Sequence, residues 1–241
     1  MNGKILIYGG SGGIGAATAR RLRAQGHGLH LVARREAPLA ALAAELDAGF
    51  TVGDVTDPAL FTRASADAGD TLDGLVYAVG TIRLRSLQRL SEADFIDDFR
   101  INALGAALAV QAALPALKKA EAPAVVLYSS VAARQGFALH ASIGMAKGAI
   151  EGLVLSLAAE LAPKIRVNAI APSLTQTPLA AGLVASEQVA TALAGLHALQ
   201  RLGTPEDIAA TTTFLLGPEA GWITGQVFGV DGGRSALRTK G

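Results

Sequence analysis

The octapeptide HASIGMAK, residues 140–147, sets a histidine, a serine and a lysine within eight positions and runs into an apolar, Ala/Gly-rich stretch, GAIEGLVLSLAAEL. An imidazole exchanges protons near neutral pH, so His140 is a candidate proton donor; the other reading is a surface histidine just before a helix. Lys147 is either part of an active site or only a charge at a helix start. Ser142 is expected to cap that helix, where a side-chain oxygen satisfies free N–H groups.

A second cluster lies near the N-terminus. The strand-like KILIY ends in GGSGGIG, with Gly9, Gly13 and Gly15 directly before the helix-like IGAATARRLRAQ. Glycine permits the tight turn and lets the backbone approach a pyrophosphate, which sits against free N–H groups at the helix start. A strand before and a helix after make this a dinucleotide-binding signature rather than a lone glycine run. The next strand-like segment, LHLVA, ends at Ala33 and is followed by Arg34 and Arg35. An NAD site places an acid there for the ribose 2′-OH, whereas arginine suits a 2′-phosphate. NADP(H) is therefore expected in preference to NAD(H), against the alternative of two solvated arginines.

The elements that must position these clusters follow a rhythm. KILIY, LHLVA, GLVYAVG, AVVLYSS, IRVNAIAPS and QVFGVD read as strands, separated by helical stretches that include 91–118, the segment after Lys147, and 205–216. Strands alternating with helices indicate βαβ units, hence an α/β, Rossmann-type, doubly wound parallel sheet in one domain spanning residues 1–241. The segment 177–200 falls off the rhythm. It holds a single acidic residue, Glu187, and reads as a mobile apolar insertion, a lid over a small apolar substrate.

Composition narrows the function classes. Lys and Arg number 21 against 20 Asp and Glu, a formal charge of +1, so neither nucleic acid nor an acidic membrane surface is expected as partner. Hydrophobic residues reach 51%. The longest uncharged run, Val167 to Ser186, contains two prolines and several polar residues, which spoils it as a spanning helix. Cysteine is absent, excluding disulfides and thiolate metal sites, and no metal site is expected. With no signal-peptide pattern at the start, a cytoplasmic protein is expected. Small residues on the two long helices, Gly105, Ala106, Ala109, Gly148 and Gly152, suggest close helix packing between subunits.

With these motifs in order, the chain resembles the short-chain dehydrogenase/reductase family over essentially its whole length. GGSGGIG looks like the family's glycine loop with Tyr8 in place of threonine, and VDGG near the C-terminus is a further mark. The resemblance implies cofactor contacts from Gly9, Ser11, Gly13, Ile14 and Gly15 in that loop. Beyond the loop it implies contacts from Arg34, from Asp54 and Val55 in GDVTD, from Gly80, and from Thr177 in IRVNAIAPSLTQT, where Ser173 replaces the usual glycine. Asn102 in RINALG falls at the asparagine that holds a relay water. Ser130 falls at the serine that bonds the substrate oxygen, and Lys147 at the lysine that grips the nicotinamide ribose. A homotetramer or homodimer is also implied.

Two departures stand out. Tyr77, Ala78, Val79 and Gly80 replace the family's Asn-Asn-Ala-Gly, and with Tyr8 close by, a rebuilt adenosine pocket is expected. The position four before Lys147, tyrosine in the family, is Ile143. Isoleucine has no proton to give, and losing a positioned acid costs about 10²–10⁴ in rate. Three outcomes follow. His140, seven before Lys147 as is the tyrosine of the family's enoyl-thioester reductases, replaces the acid. Hydride goes instead to a conjugated C=C, giving an enolate that needs the tyrosine less. Or the protein binds NADP(H) without turnover, as a redox sensor or inactive oligomer partner. Tyr128 is expected to be packing rather than acid.

Overall fold

The computed structural model describes residues 3–238. Seven parallel strands, β1 (Lys4–Tyr8), β2 (Gly28–Ala33), β3 (Gly49–Val52), β4 (Gly74–Tyr77), β5 (Ala124–Tyr128), β6 (Arg166–Pro172) and β7 (Val227–Val230), form one sheet in the order 3-2-1-4-5-6-7. The fold is the α/β, Rossmann-like single domain expected from the alternation of strands and helices.

Period-two burial builds the two layers. Along β1, Leu6 and Tyr8 face a core shared with α3 (Ala59–Ala68), α5 (Gly105–Lys119) and α6 (Ala141–Leu161). Ile5 and Ile7 face the opposite core, with α1 (Gly13–Ala24), α2 (Glu36–Leu46) and α8 (Pro205–Leu216). Strands buried on both faces need near-continuous apolar runs, which KILIY and AVVLY supply. The chain leaves β1 toward β2 and β3, then returns to β4 on the other side. That reversal opens a crevice at the carboxyl ends of β1 and β4, where such sheets bind ligands.

Several elements differ from the sequence reading. β3 and α3 were not anticipated; β3 has only four residues, and Phe50 in it is exposed, so its apolar pattern is weak. The helix expected over 91–118 is α4 (Glu92–Phe99), a wider π-helical turn over Arg100–Leu104, and α5. The segment 177–200 carries a 3₁₀ turn over Pro178–Leu183 and α7 (Glu187–Ala194).

Gly105, Ala106 and Ala109 do not face a neighbouring subunit, because all three are buried inside this chain. Gly148 and Gly152 of α6 do face open space. Residues 92–119 and 141–161 are long and apolar enough to cross a membrane, but here they are core helices, with 50% and 39% of their most apolar windows buried.

Candidate active site

The carboxyl ends of the central strands carry the candidate residues. The N–H groups of the first turn of α1 lack intrahelical acceptors, its cap residue Gly12 offers no side chain, and no acid sits in that turn. A Cβ on Gly15 would stand 2.1 Å from the Gly9 carbonyl oxygen, and one on Gly9, at φ +75°, 2.6 Å from that of Ala78. The backbone crowding therefore admits glycine alone and leaves a cradle for an anion. Across it, a Cβ on Gly13 would stand 2.8 Å from the Thr177 methyl, so the loop after β6 lies over the glycine loop. Thr177 Oγ1 accepts from Ala180 N–H and starts the 3₁₀ turn.

Arg34 is exposed at the end of β2, its guanidinium 3.6 Å from the Asp54 carboxylate. Burial opposes the charge on Asp54, but hydrogen bonds from Thr56 and the Arg34 charge outweigh it and hold its pKa below the usual range. Val55 beside it is buried.

Lys147 lies on the second turn of α6 and is buried, not a surface charge at a helix start. Its Nζ donates to the Tyr128 carbonyl at 2.9 Å. Burial lowers its pKa to about 8, against the opposing field of Asp98. Asp98, with no exposed surface, accepts from Thr81 Oγ1 at 2.7 Å and Ser142 Oγ at 2.6 Å. Ser142 is thus not the cap of α6, because its hydroxyl is spent on Asp98; His140 occupies the cap position without a side-chain cap bond.

Asn102 stands in the π-helical turn, where Nδ2 donates to Thr81 Oγ1 and to the Asp98 carbonyl. Its Oδ1 is buried without a partner. A Cβ on Gly80 would lie 3.1 Å from this oxygen and 3.4 Å from Lys147 Nζ, so orphaned acceptor and ammonium border the same small space. Tyr77 supports the turn from beneath, donating to the Ile101 carbonyl at 2.6 Å, and a Cβ on Gly105 would collide with its hydroxyl. Tyr8 and Tyr77 are fully buried and pack together in the core, Tyr8 also against Phe61. Burial pushes both phenols above their ordinary pKa. Tyr128 is likewise buried, with its hydroxyl 2.6 Å from Thr212 Oγ1.

Ser130, just beyond β5, accepts from the Ala132 N–H at 3.2 Å, which leaves its O–H free to donate. It opens onto a cavity of about 420 Å³ also lined by Ile14, Gly80, Ile143, Lys147 and Thr177. Ile143, one turn before Lys147, is buried against it. Leu179, Leu183, Leu193 and Leu196 from the 177–200 segment form an apolar wall. His140 reaches the same cavity, its Nδ1 bonded to the Ala138 carbonyl at 2.7 Å and its ring beside Phe137. Arg234 also lies over Phe137, its Cζ 5.3 Å from the ring centre.

The sequence reading did not single out His197. Its ring is buried in the cavity wall, with Nδ1 2.9 Å from the Leu193 carbonyl and Nε2 2.8 Å from Ser173 Oγ. The signal was present but split: a serine in place of glycine after β6, and a histidine inside the 177–200 segment. Thr81 and Asp98 carried no motif signal at all.

Comparison with known proteins places this arrangement. The family model described as enoyl-(acyl carrier protein) reductase matches residues 9–235. The short-chain reductase protein NovJ of Streptomyces niveus is 36% identical, over 95% of this chain and 92% of its own. Cis-4-hydroxycyclohexanecarboxylate dehydrogenase of Sinomonas cyclohexanicum is 35% identical, over 96% of each chain. The solved structure of ElxO with NADP bound superposes with a TM-score of 0.90 at 28% identity, covering 98% of this chain and all of the other. The chain belongs to the short-chain dehydrogenase/reductase family of nicotinamide-dependent oxidoreductases.

Proposed function

We propose that this protein is an NADP(H)-dependent oxidoreductase acting on a small, largely apolar carbonyl or alcohol, or on a conjugated C=C, with a proton source other than tyrosine. The observation that carries the reading is one cavity bordered by the glycine-loop helix, the Lys147 ammonium and the free Ser130 hydroxyl. A nicotinamide bound there supplies the hydride equivalent.

The chain's own residues fit such a group. The Gly9–Gly13–Gly15 cradle, with Ser11 and Ile14, receives the pyrophosphate, and Asp54 and Val55 border the adenine. Gly80 and Thr177 flank the nicotinamide side. Lys147 keeps donors free for ribose hydroxyls beyond its bond to Tyr128. The orphaned Asn102 Oδ1 suits a bound water. Arg34, with no acid at Ala33, supports the 2′-phosphate of NADP(H) over NAD(H).

On the substrate side, Ser130 donates to the substrate oxygen while the lid leucines exclude water. His140 and His197 are imidazoles on the cavity wall, and either can be the source of the proton that Ile143 cannot give. The outer face of α6, with Met145 and Leu155 exposed beside Gly148 and Gly152, supports pairing with a second copy.

The test is oxidation of NADPH and NADH with cyclohexanone, 2-cyclohexen-1-one and a saturated control, beside calorimetric cofactor binding. Turnover with NADPH is expected. Tight NADPH binding with no turnover across a broad panel replaces the enzyme by a sensor or inactive partner.

A further inference from the structure

The Ser173–His197 pair is the one hydroxyl–imidazole couple among the described hydrogen bonds that faces this cavity. Its direction follows from its neighbours. The Leu193 carbonyl can only accept, so Nδ1 of His197 carries a proton. In the neutral ring Nε2 is then a bare acceptor, and Ser173 donates to it. In the imidazolium Nε2 donates instead, and the Ser173 proton is released toward the cavity.

Position supports the same conclusion. β5 and β6 are paired neighbours, with Tyr128 opposite Ile170, and Ser130 and Ser173, just past their carboxyl ends, both line the main cavity. A substrate oxygen held by Ser130 therefore sits in the space that Ser173 also borders. His197 also borders a second cavity of about 180 Å³, shared with Thr175, Arg201, Asp207 and Asp231. The polar groups of this space give a water partners beside the imidazole. The charged groups around the ring are Asp231, within its electrostatic reach, the Arg201–Asp207 pair bonded to each other, and Arg234 on the main cavity.

We infer that Ser173 and His197 form a proton relay that delivers to the substrate oxygen the proton Ile143 cannot supply. The inference rests on the oxidoreductase reading above. As the carbonyl carbon gains its new C–H bond from the hydride that NADPH would give up, leaving NADP⁺, the C=O π pair moves to oxygen. An O–H bond forms there as the Ser173 O–H breaks, and Oγ takes the Nε2 proton. His197 is left neutral and regains a proton from water. Ser173 is the catalytic residue; His197 acts through it. Burial and the Leu193 bond hold the ring in one orientation, as a relay requires.

Wild type, Ser173→Ala, Ser173→Thr, His197→Gln and the double variant are compared on cyclohexanone with NADPH. Ser173→Ala and His197→Gln should each lower kcat by about a hundredfold, the low end for a lost general acid. KM and NADPH affinity should stay within about threefold, the double variant should be no worse than either single one, and threonine should restore most of the rate. The wild-type solvent deuterium effect on kcat should shrink in the alanine variant. Without cofactor, ¹⁵N spectra should show Nδ1 of His197 protonated in both charge states of the ring and a displaced Nε2 resonance in Ser173→Ala. An active wild type whose variants keep its rate overturns the relay alone. A wild type inactive on the whole panel overturns the relay together with the oxidoreductase reading.

Discussion

The two walls of the cavity are built differently. On the β1/β4 side the shape is set by backbone crowding: a Cβ on Gly9 or Gly15 would stand 2.6 or 2.1 Å from a backbone carbonyl oxygen. On the β5/β6 side it is set by side chains, such as Ile143, Leu179 and Leu193, carried on helices and a 3₁₀ turn. A backbone-built wall tolerates almost no change, whereas a side-chain wall can be altered one residue at a time. Lys147 and Ile143, one turn apart on α6, mark where one regime passes into the other.

The largest effect should come from the crowded wall. Gly15→Val would drive a branched side chain into the Gly9 carbonyl and push α1 from the loop, weakening NADPH binding by about a hundredfold or more. Calorimetry measures it; retained affinity would mean that the crowding is relieved without moving the cradle.

Lys147→Met comes next, with about tenfold to hundredfold weaker NADPH binding, because an ammonium bonded to ribose hydroxyls contributes more than a neutral donor. Its pH signature has a definite sign. The folded pKa is about 8, below the ordinary 10.5. Between these values the unfolded chain holds more protons at this side chain, so its burial costs less stability as pH rises through that window. Cofactor binding runs the other way: contacts to the ammonium favour the protonated form, so affinity should fall above about pH 8 in wild type and not through this group in Lys147→Met. A flat wild-type profile would contradict the assignment.

Arg34→Asp should be smaller, lowering the preference for NADPH over NADH by about tenfold, since one exposed ionic contact is screened by solvent. Equal or tighter NADH binding by wild type would remove its basis. Tyr77→Phe tests the support beneath Asn102. Losing the bond leaves the part-buried Ile101 carbonyl short of a donor, a cost of about 1 kcal/mol read by denaturant unfolding.

Legibility in the sequence divides along the same line. The glycine loop, the strand rhythm and the Arg34 position could be read because backbone constraints leave residue-type signatures. β3 was missed because an edge strand of four residues with exposed Phe50 has no two-sided apolar run. The π-helical turn was missed because RINAL has the apolar spacing of an ordinary helix; the tyrosine hydroxyl that supports it comes from a strand 24 residues earlier. Ser142 was read as a cap from local sequence, yet its partner Asp98 lies 44 positions away. His197 joins Ser173 only in three dimensions.

The smallest effect is expected for His140→Ala, and it separates the two imidazoles. His140 stands seven residues before Lys147, and it lines the cavity. Its surroundings hold it less firmly than those of His197: it is half-buried at the cap of α6, its Nδ1 is bonded to the Ala138 carbonyl only two residues away, and its neighbour Leu139 is exposed. His197 is buried, with both ring nitrogens engaged. A proton donor contributes in proportion to how firmly it is aimed at the reacting oxygen. Removing His140 should therefore change kcat on cyclohexanone by no more than about threefold, against about a hundredfold for His197→Gln. Should the order reverse, the proton enters from the α6 side, and the spacing in HASIGMAK outweighs the hydrogen-bonded Ser173–His197 pair.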